Sequence, residues 1–436
     1  MKITEETVGP CRLKLYCVLA PEEVDPIRRR MVRDIAAQAK VPGFRPGRVP
    51  PDIVEKKFPD EVRHRIRMEV TRHCLDEVVR RLGRRYLRTV DLSTPDGVDF
   101  AGPTETAITV EVEPDFTLPD YRGIPVRAAP ATVPEAEVEA ALANLRARAA
   151  SYRNVAGRPA QAGDLAQVDA EGLTDGRPID EISPQTRGLG RLARQWVALT
   201  PDAFPPGLGP ALEGAVPGET RTVAVEFPTD FAIAELAGRK AEYRATLLAL
   251  QEPVLPELDE AFCRAHGATD PDDLRRRVRE SLQRRWSERR REEMANQIAD
   301  HLLVRTPMDL PESLVQEEAR RLAALIVRRG LRQGLSEEAI RGAADRIEQT
   351  AQRSARETAK LSFIMERIAA QEGIAVSDED LNREIARIAR AEGVPPDDLA
   401  RRLREAGALE TLRRRLASEM VTDRLIAMAR VEEAAS

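Results

Sequence analysis

Val41-Pro42-Gly43-Phe44-Arg45-Pro46-Gly47-Arg48-Val49-Pro50 is the stretch from which the organisation of this chain unfolds. It separates two runs of helical period. Ile27, Met31 and Ile35 precede it at four-residue spacing, and Val62, Ile66 and Val70 repeat that spacing after Ile53, Val54 and Phe58. A plain connector between helices would be short and polar. This one carries three prolines that fix φ and two glycines that tolerate φ > 0, so the sequence predicts a loop held in few conformations. Its tip offers one aromatic ring and two guanidinium groups. Planar guanidinium forks bind phosphates and carboxylates, so the tip suits an acidic or phosphate-rich surface. The alternative is a rigid connector whose ring folds back onto its own domain.

Upstream, Leu13, Leu15, Cys17 and Leu19 alternate with more polar neighbours, which predicts a strand. Ile108, Val110 and Val112 predict a later strand able to pair with it. Residues 1–115 therefore read as a small α+β domain with the loop at one end. Residues 24–88 hold 18 Lys and Arg against 9 Asp and Glu, whereas the whole chain has a formal net charge of −5. A basic module on a mildly acidic chain points to an anionic partner at that end, and argues against coating by nucleic acid along the whole length.

With 436 residues the chain should form several domains. Charged residues make up 32% and aromatic ones 4%, a balance that favours long helices laced with ion pairs over aromatic-packed β structure. Cys11, Cys17, Cys74 and Cys263 are scattered, and neither they nor the four histidines have metal-ligand spacing. No metal, cofactor or disulfide framework is expected. The polar start and the lack of an apolar run of about 18 residues predict a cytoplasmic protein without membrane contact.

Residues 116–162 read as a proline-spaced linker followed by an arm helix over 135–153, with Val138, Leu142 and Leu145 as its apolar stripe. Residues 163–250 show short alternating runs divided by Asp175-Gly176, Pro206-Gly207 and Pro217-Gly218 turns, which predicts a compact β domain. Residues 251–436 are helical in period almost throughout. Asp270-Pro271 starts one helix, Ser377 with Asp380 resembles a capping box, and further helices are predicted over 314–331, 336–372, 377–391 and 409–431.

Three regions in this order, with Gly43-Phe44-Arg45-Pro46-Gly47-Arg48-Val49-Pro50 in the first, resemble the trigger factor family of ribosome-associated bacterial chaperones. Pro256-Glu257-Leu258-Asp259-Glu260-Ala261-Phe262 and Leu310-Pro311-Glu312-Ser313-Leu314-Val315 extend the resemblance over nearly the whole length. It implies a multidomain α+β protein. The parts would be an N-terminal ribosome-binding domain, an FKBP-like prolyl isomerase domain with a short helix, and a discontinuous all-α chaperone domain to which the arm helix returns. It also implies that Gly43, Phe44, Arg45, Pro46, Gly47 and Arg48 meet ribosomal protein and RNA at the exit tunnel. Pro46 stands where some members carry Lys, which removes one phosphate contact. The partners implied are the ribosome and nascent or unfolded polypeptides, kept open for folding or export, and the resemblance leaves room for a homodimer away from the ribosome.

The same resemblance puts Ile179, Phe204, Leu208, Phe231 and Tyr243 around an isomerase pocket, with Trp196 nearby. Such a pocket favours the twisted amide by being dry and aromatic. Here Ala170-Glu171-Gly172, Ile179 and Pro206-Gly207-Leu208 replace aromatic-bearing segments, so reduced activity is expected, and Glu171 would add a charge if it pointed inward. A structural β domain with poor catalysis is the competing reading. Among the C-terminal helices Leu322, Leu325, Ile326, Ile364, Met365, Ile368, Leu425, Ile426 and Met428 suit either a client cradle or a core. Two other functions are compatible with the sequence: a free folding isomerase not docked on ribosomes, and a non-catalytic interaction protein.

Overall fold

A computed structural model describes residues 1–42, 44, 49–93, 102–233 and 235–433. The chain divides into two compact units. One comprises Met1–Ala129 with Arg291–Ser436, and the other Pro130–Arg290.

The first unit begins with β1 (Lys2–Gly9), β2 (Arg12–Leu19), α1 (Pro21–Gln38), α2 (Pro51–Lys57), α3 (Pro59–Arg81), β3 (Tyr86–Ser93) and β4 (Thr104–Val112). The strands form one antiparallel sheet in the order β1-β2-β4-β3. The expected pairing of the two alternating strands is present, with Leu13 opposite Val110 and Leu15 opposite Ile108. Helix α3 buries Val62, Ile66, Val70, Cys74 and Val78, one per turn, in the same core. Strands β1 and β3 were not legible as strands. Six of the eight β1 residues are exposed, so no apolar alternation marks it, and pairing along the edge of β2 creates it. A four-residue strand, β5 (Pro125–Ala128), follows and buries Val126 and Ala128.

The second unit contains α4 (Glu135–Arg148), β6 (Ser151–Val155), β7 (Leu165–Thr174), β8 (Arg177–Pro178), β9 (Arg191–Ala198), α5 (Leu208–Ala211), β10 (Thr220–Glu226), β11 (Lys240–Val254), α6 (Glu260–Ala265) and the first part of α7 (Pro271–Arg305). Helix α4 places Val138 and Leu142 against Phe262, Cys263 and Leu274. The helix expected over 135–153 stops at Arg148. Residues 151–155 instead pair with 250–254, because β11 is long enough to offer them an edge. Strand β11 lies between β7 and β10, and β9 borders β7, so a six-stranded antiparallel sheet carries the core.

One ion pair in this unit has a pH signature. Arg158 donates from both terminal nitrogens to buried Asp164, at 2.7 and 2.9 Å, and the Gln161 amide donates to the same carboxylate at 2.9 Å. The Arg158 guanidinium holds the Asp164 carboxyl below its usual value of 3.8, against the opposing effect of burial. A depressed folded pKa gives stabilisation that is complete above the unfolded value and is lost as pH falls through the folded one. Asp164→Asn should therefore lower stability near neutrality by about 2 kcal/mol. It should also flatten the acid limb below about pH 4, read by thermal unfolding across pH. An unchanged acid limb would mean the pair contributes nothing.

The remaining helices belong to the first unit: α8 (Glu312–Arg332), α9 (Glu337–Gly342), α10 (Ala344–Gln371), α11 (Asp378–Glu392), α12 (Pro396–Glu405) and α13 (Leu409–Met428), followed by β12 (Arg430–Glu433). The end of α7 packs Met294, Ile298 and Leu302 against Phe363, Ile364 and Ile368 of α10 and Val421 and Leu425 of α13. The single helix expected over 336–372 breaks at Ala343 into α9 and α10. The helix expected to reach 431 ends at Met428, because β12 pairs in parallel with β5 some 300 residues earlier, Val431 opposite Val126. Helix α12 was also missed. The Ser377–Asp380 cap is present: the Asp380 amide donates to Ser377 Oγ and the Ser377 amide to Asp380 Oδ2, each at 3.1 Å.

Candidate functional site

The loop after α1 is fixed at both ends. Val41 and Val49 are each 5% exposed and sit in the core shared by the sheet and α3, with Val54 of α2 beside them. The Phe44 amide donates to Val41 O at 3.1 Å, which folds the entry into a turn, and the Ile53 amide donates to Pro50 O at 3.1 Å at the start of α2. Arg28 clamps the two helices together, donating from Nε and Nη2 to the two Glu55 carboxylate oxygens at 2.9 and 2.8 Å. Between these anchors the Phe44 side chain is 40% exposed. An exposed ring on an anchored base is the opposite of a ring folded into its own domain. Gly43, Arg45, Pro46, Gly47 and Arg48, also expected at this site, lie outside the described residues.

Four further cations flank the loop. Arg33 within α1 and Lys40 just beyond it, and Lys56 and Lys57 in the last turn of α2, are exposed and have no carboxylate partner among the described residues. In the sequence, Lys40 and Lys56-Lys57 on either side of an Arg-bearing loop form a charge cluster that would have pointed to them.

In the second unit, strand alternation decides which of the expected pocket residues face inward. Ala170, Gly172 and Thr174 of β7 are buried and Glu171 is exposed, so the Glu171 charge faces away from the core. Gly172 pairs with Tyr243 of β11, and an added Cβ there would lie 2.6 Å from Tyr243 Cε1 and 2.9 Å from Ile179 Cδ1. Glycine thus lets the ring cross β7 closely. Tyr243 is fully buried and donates from its hydroxyl to Leu189 O at 2.8 Å. Burial pushes its pKa up, with a smaller push from Asp180, so it stays a neutral donor. Asp180 in turn accepts from the Gly190 amide at 2.8 Å.

Ile179, Leu208 and Tyr243 are all 0% exposed and belong to one core with Phe227, Leu212 and Leu236. Phe231 is half-buried and Phe204 is 39% exposed. Their rings stack 6.4 Å apart, and Phe227 lies beneath at 5.0 Å from Phe231 and 6.5 Å from Phe204. Two of the five expected residues therefore reach the surface, and the three phenylalanines form a small aromatic shelf. Trp196 sits on the outer side of β9, next to buried Val197.

The C-terminal apolar residues divide cleanly. Ile364, Met365, Ile368 and Leu425 are core, Leu322, Ile426 and Met428 are half-buried, and Leu325 and Ile326 are 43% and 37% exposed on α8. Between α8, α9 and α10 lies a cavity of about 600 Å³. Among the described residues no group of three or more His, Cys, Asp or Glu is placed to hold a metal ion, and no helix is long and apolar enough to cross a membrane.

Comparison with known proteins joins these features. Family models described as the bacterial trigger factor protein and the bacterial trigger factor protein C-terminus match residues 1–145 and 272–427. The chain is 32% identical over 406 residues to the trigger factor of Opitutus terrae, covering 92% of each chain. It is 29% identical over 437 residues to that of Anaeromyxobacter dehalogenans, covering 99% of this chain and 100% of the other. A solved trigger factor chaperone, studied for promiscuous substrate recognition in folding and assembly, shares the fold. Its TM-score is 0.54 at 19% identity, over 98% of this chain and 99% of that one.

Proposed function

The chain belongs to the trigger factor family of ribosome-associated chaperones, and from that premise we propose that it docks through the 43–48 loop beside the exit tunnel and shields emerging polypeptides. The observation that carries the docking is Phe44, exposed between the buried anchors Val41 and Val49 on a basic module. A ring held out of its own core, flanked by guanidinium and ammonium groups, has the composition of an interface anchor for protein and RNA. In the sequence Gly43 and Gly47 tolerate φ > 0, Pro46 fixes φ, and Arg45 and Arg48 would supply the forks. Ribosome co-sedimentation of wild type against a variant with Phe44, Arg45 and Arg48 replaced by alanine tests the docking. Suppression of aggregation of a denatured model protein tests the shielding, and its absence would leave a non-catalytic interaction protein as the better reading. The protein would work in the cytoplasm, where such chains emerge, and self-association off the ribosome would be read by sedimentation velocity.

The family carries a prolyl isomerase domain, and the middle unit would retain it in weakened form. Phe204 and Phe231 offer a surface for a proline ring, whereas Ile179, Leu208 and Tyr243 are sealed in the core and can act only by supporting that shelf. A peptide in contact with two rings would leave much of its amide hydrated, which weakens selection of the twisted state. The expected kcat/KM on a proline tetrapeptide is at least about tenfold below that of an isomerase with a complete aromatic pocket, equivalent to about 1.4 kcal/mol of transition-state binding. Phe231→Ala should remove most of the remainder. A rate equal to that of a complete pocket would refute the argument, and would favour the free isomerase if ribosome binding were also absent.

A further inference from the structure

The cavity between α8, α9 and α10 has apolar walls edged by charged residues, Arg320, Arg341 and Arg356 together with Glu312 and Glu348. Helices α8 and α10 pack tightly at one end, where Val315, Ala319, Ala355 and Ala359 form a buried cluster. Toward the α9 end their facing positions are filled by Ala323 and Val327 on one side and Ile347 and Ala351 on the other. These apolar positions at four-residue spacing line about 600 Å³ of open space between the helices, within the range of a site for a few bulky side chains. Beyond it, Leu325, Ile326, Leu331 and Leu335 are 37–53% exposed, a larger apolar surface than isolated residues would give.

The charges around this surface are unbalanced. Residues 320–342 contain six Arg against two Glu on a chain that is acidic overall. Three rim carboxylates are engaged by arginines, Glu312 with Arg356 at 3.3 Å, Glu318 with Arg321 at 2.6 Å and Glu337 with Arg341 at 3.7 Å, while Glu348 accepts from Gln352 at 3.3 Å. Arg320 and Arg328 reach only the backbone carbonyls of Gln316 and Ala324, each at 3.3 Å. Arg329 and Arg332 are exposed, and none of these four has a carboxylate partner among the described residues. Residues 312–356 contain no Phe, Tyr or Trp, so the surface lacks the aromatic platforms on which single-stranded nucleic acid bases stack.

We propose that the α8–α10 groove and the adjoining α8–α9 tip select client segments in which bulky apolar side chains are flanked by Asp or Glu. This rests on the chaperone reading and names the client chemistry. The apolar side chains enter between the alanine-lined helices, and the flanking carboxylates meet Arg320, Arg328, Arg329 and Arg332. Exposed pairs are individually weak and screened by salt, so the preference is graded and loses strength as ionic strength rises.

The test uses the full chain and three fluorescent peptides with the same Leu and Phe positions, flanked by Glu, Gln or Lys, with affinity read by anisotropy. The expected order is Glu tighter than Gln tighter than Lys, with Glu about tenfold tighter than Lys at low salt. The quadruple variant R320Q/R328Q/R329Q/R332Q should erase the order while keeping binding of the Gln peptide, since all four side chains are at the surface. Ala323→Trp should weaken all three peptides with helix content unchanged by circular dichroism. Equal affinities, a preference for Lys, or displacement of the Glu peptide by oligouridine in an arginine-dependent way would each overturn the proposal. If aggregation of a denatured protein is still suppressed in that case, the chaperone reading stands and only the selectivity falls. If no peptide binds and aggregation is not suppressed, both fall.

Discussion

Replacing Phe44, Arg45 and Arg48 together with alanine should weaken ribosome binding by at least about a hundredfold, or roughly 2.7 kcal/mol. The size follows from what each group does. Phe44 is 40% exposed in the free protein while its neighbours Val41 and Val49 are buried, so binding can cover the part of the residue that is still exposed. An aromatic anchor of that kind contributes about 2 kcal/mol or more when it fills a pocket. Each guanidinium that meets a phosphate also releases counterions, so the variant should show a shallower dependence on salt, by up to about two units of slope. The fold should survive, because the Arg28–Glu55 clamp and the Val41 and Val49 anchors lie outside the substitutions. Co-sedimentation across a salt series reads both effects. Unchanged binding would remove the loop from the interface and shift attention to Arg33, Lys40, Lys56 and Lys57, whose lysines a charge-reversal variant would then test.

Gly172→Ala should destabilise the middle unit by about 3 kcal/mol. The new Cβ would meet Tyr243 Cε1 at 2.6 Å, Cζ at 2.7 Å and Ile179 Cδ1 at 2.9 Å, and all three atoms belong to fully buried side chains. The ring cannot turn aside without giving up its hydroxyl contact with Leu189 O. Adding Tyr243→Leu should recover part of the loss by vacating that space, although the Leu189 carbonyl then loses its donor. Urea unfolding of the two single variants and the double variant reads the coupling. Strictly additive losses would show that the close approach of glycine to the ring does not set the stability of this sheet.

The multidomain α+β organisation was legible where one segment carries its own signal. The alternation of Leu13, Leu15, Cys17 and Leu19, the four-residue repeat of α3 and the Ser377–Asp380 cap are local consequences of period and capping, and the structure holds all three. Elements made by a partner distant in the chain were not legible. Strand β1 exists because β2 has a free edge, β6 because β11 runs on to Val254, and β12 because β5 lies within reach.

The candidate sites divide in the same way. Composition and proline–glycine spacing alone predict a cationic loop over 41–50 held in few conformations, because φ restriction and charge are properties of the residues themselves. Whether the Phe44 ring faces solvent, which pocket residues are sealed beneath the Phe204–Phe231 shelf, and which C-terminal leucines are core were decided only by tertiary packing. Burial is a relation between segments far apart in sequence. The apolar stripes of α8 and α10 close into a core around Ala355 and Ala359 and stay open beside Ala323, Val327 and Ile347, a difference that neither stripe shows alone.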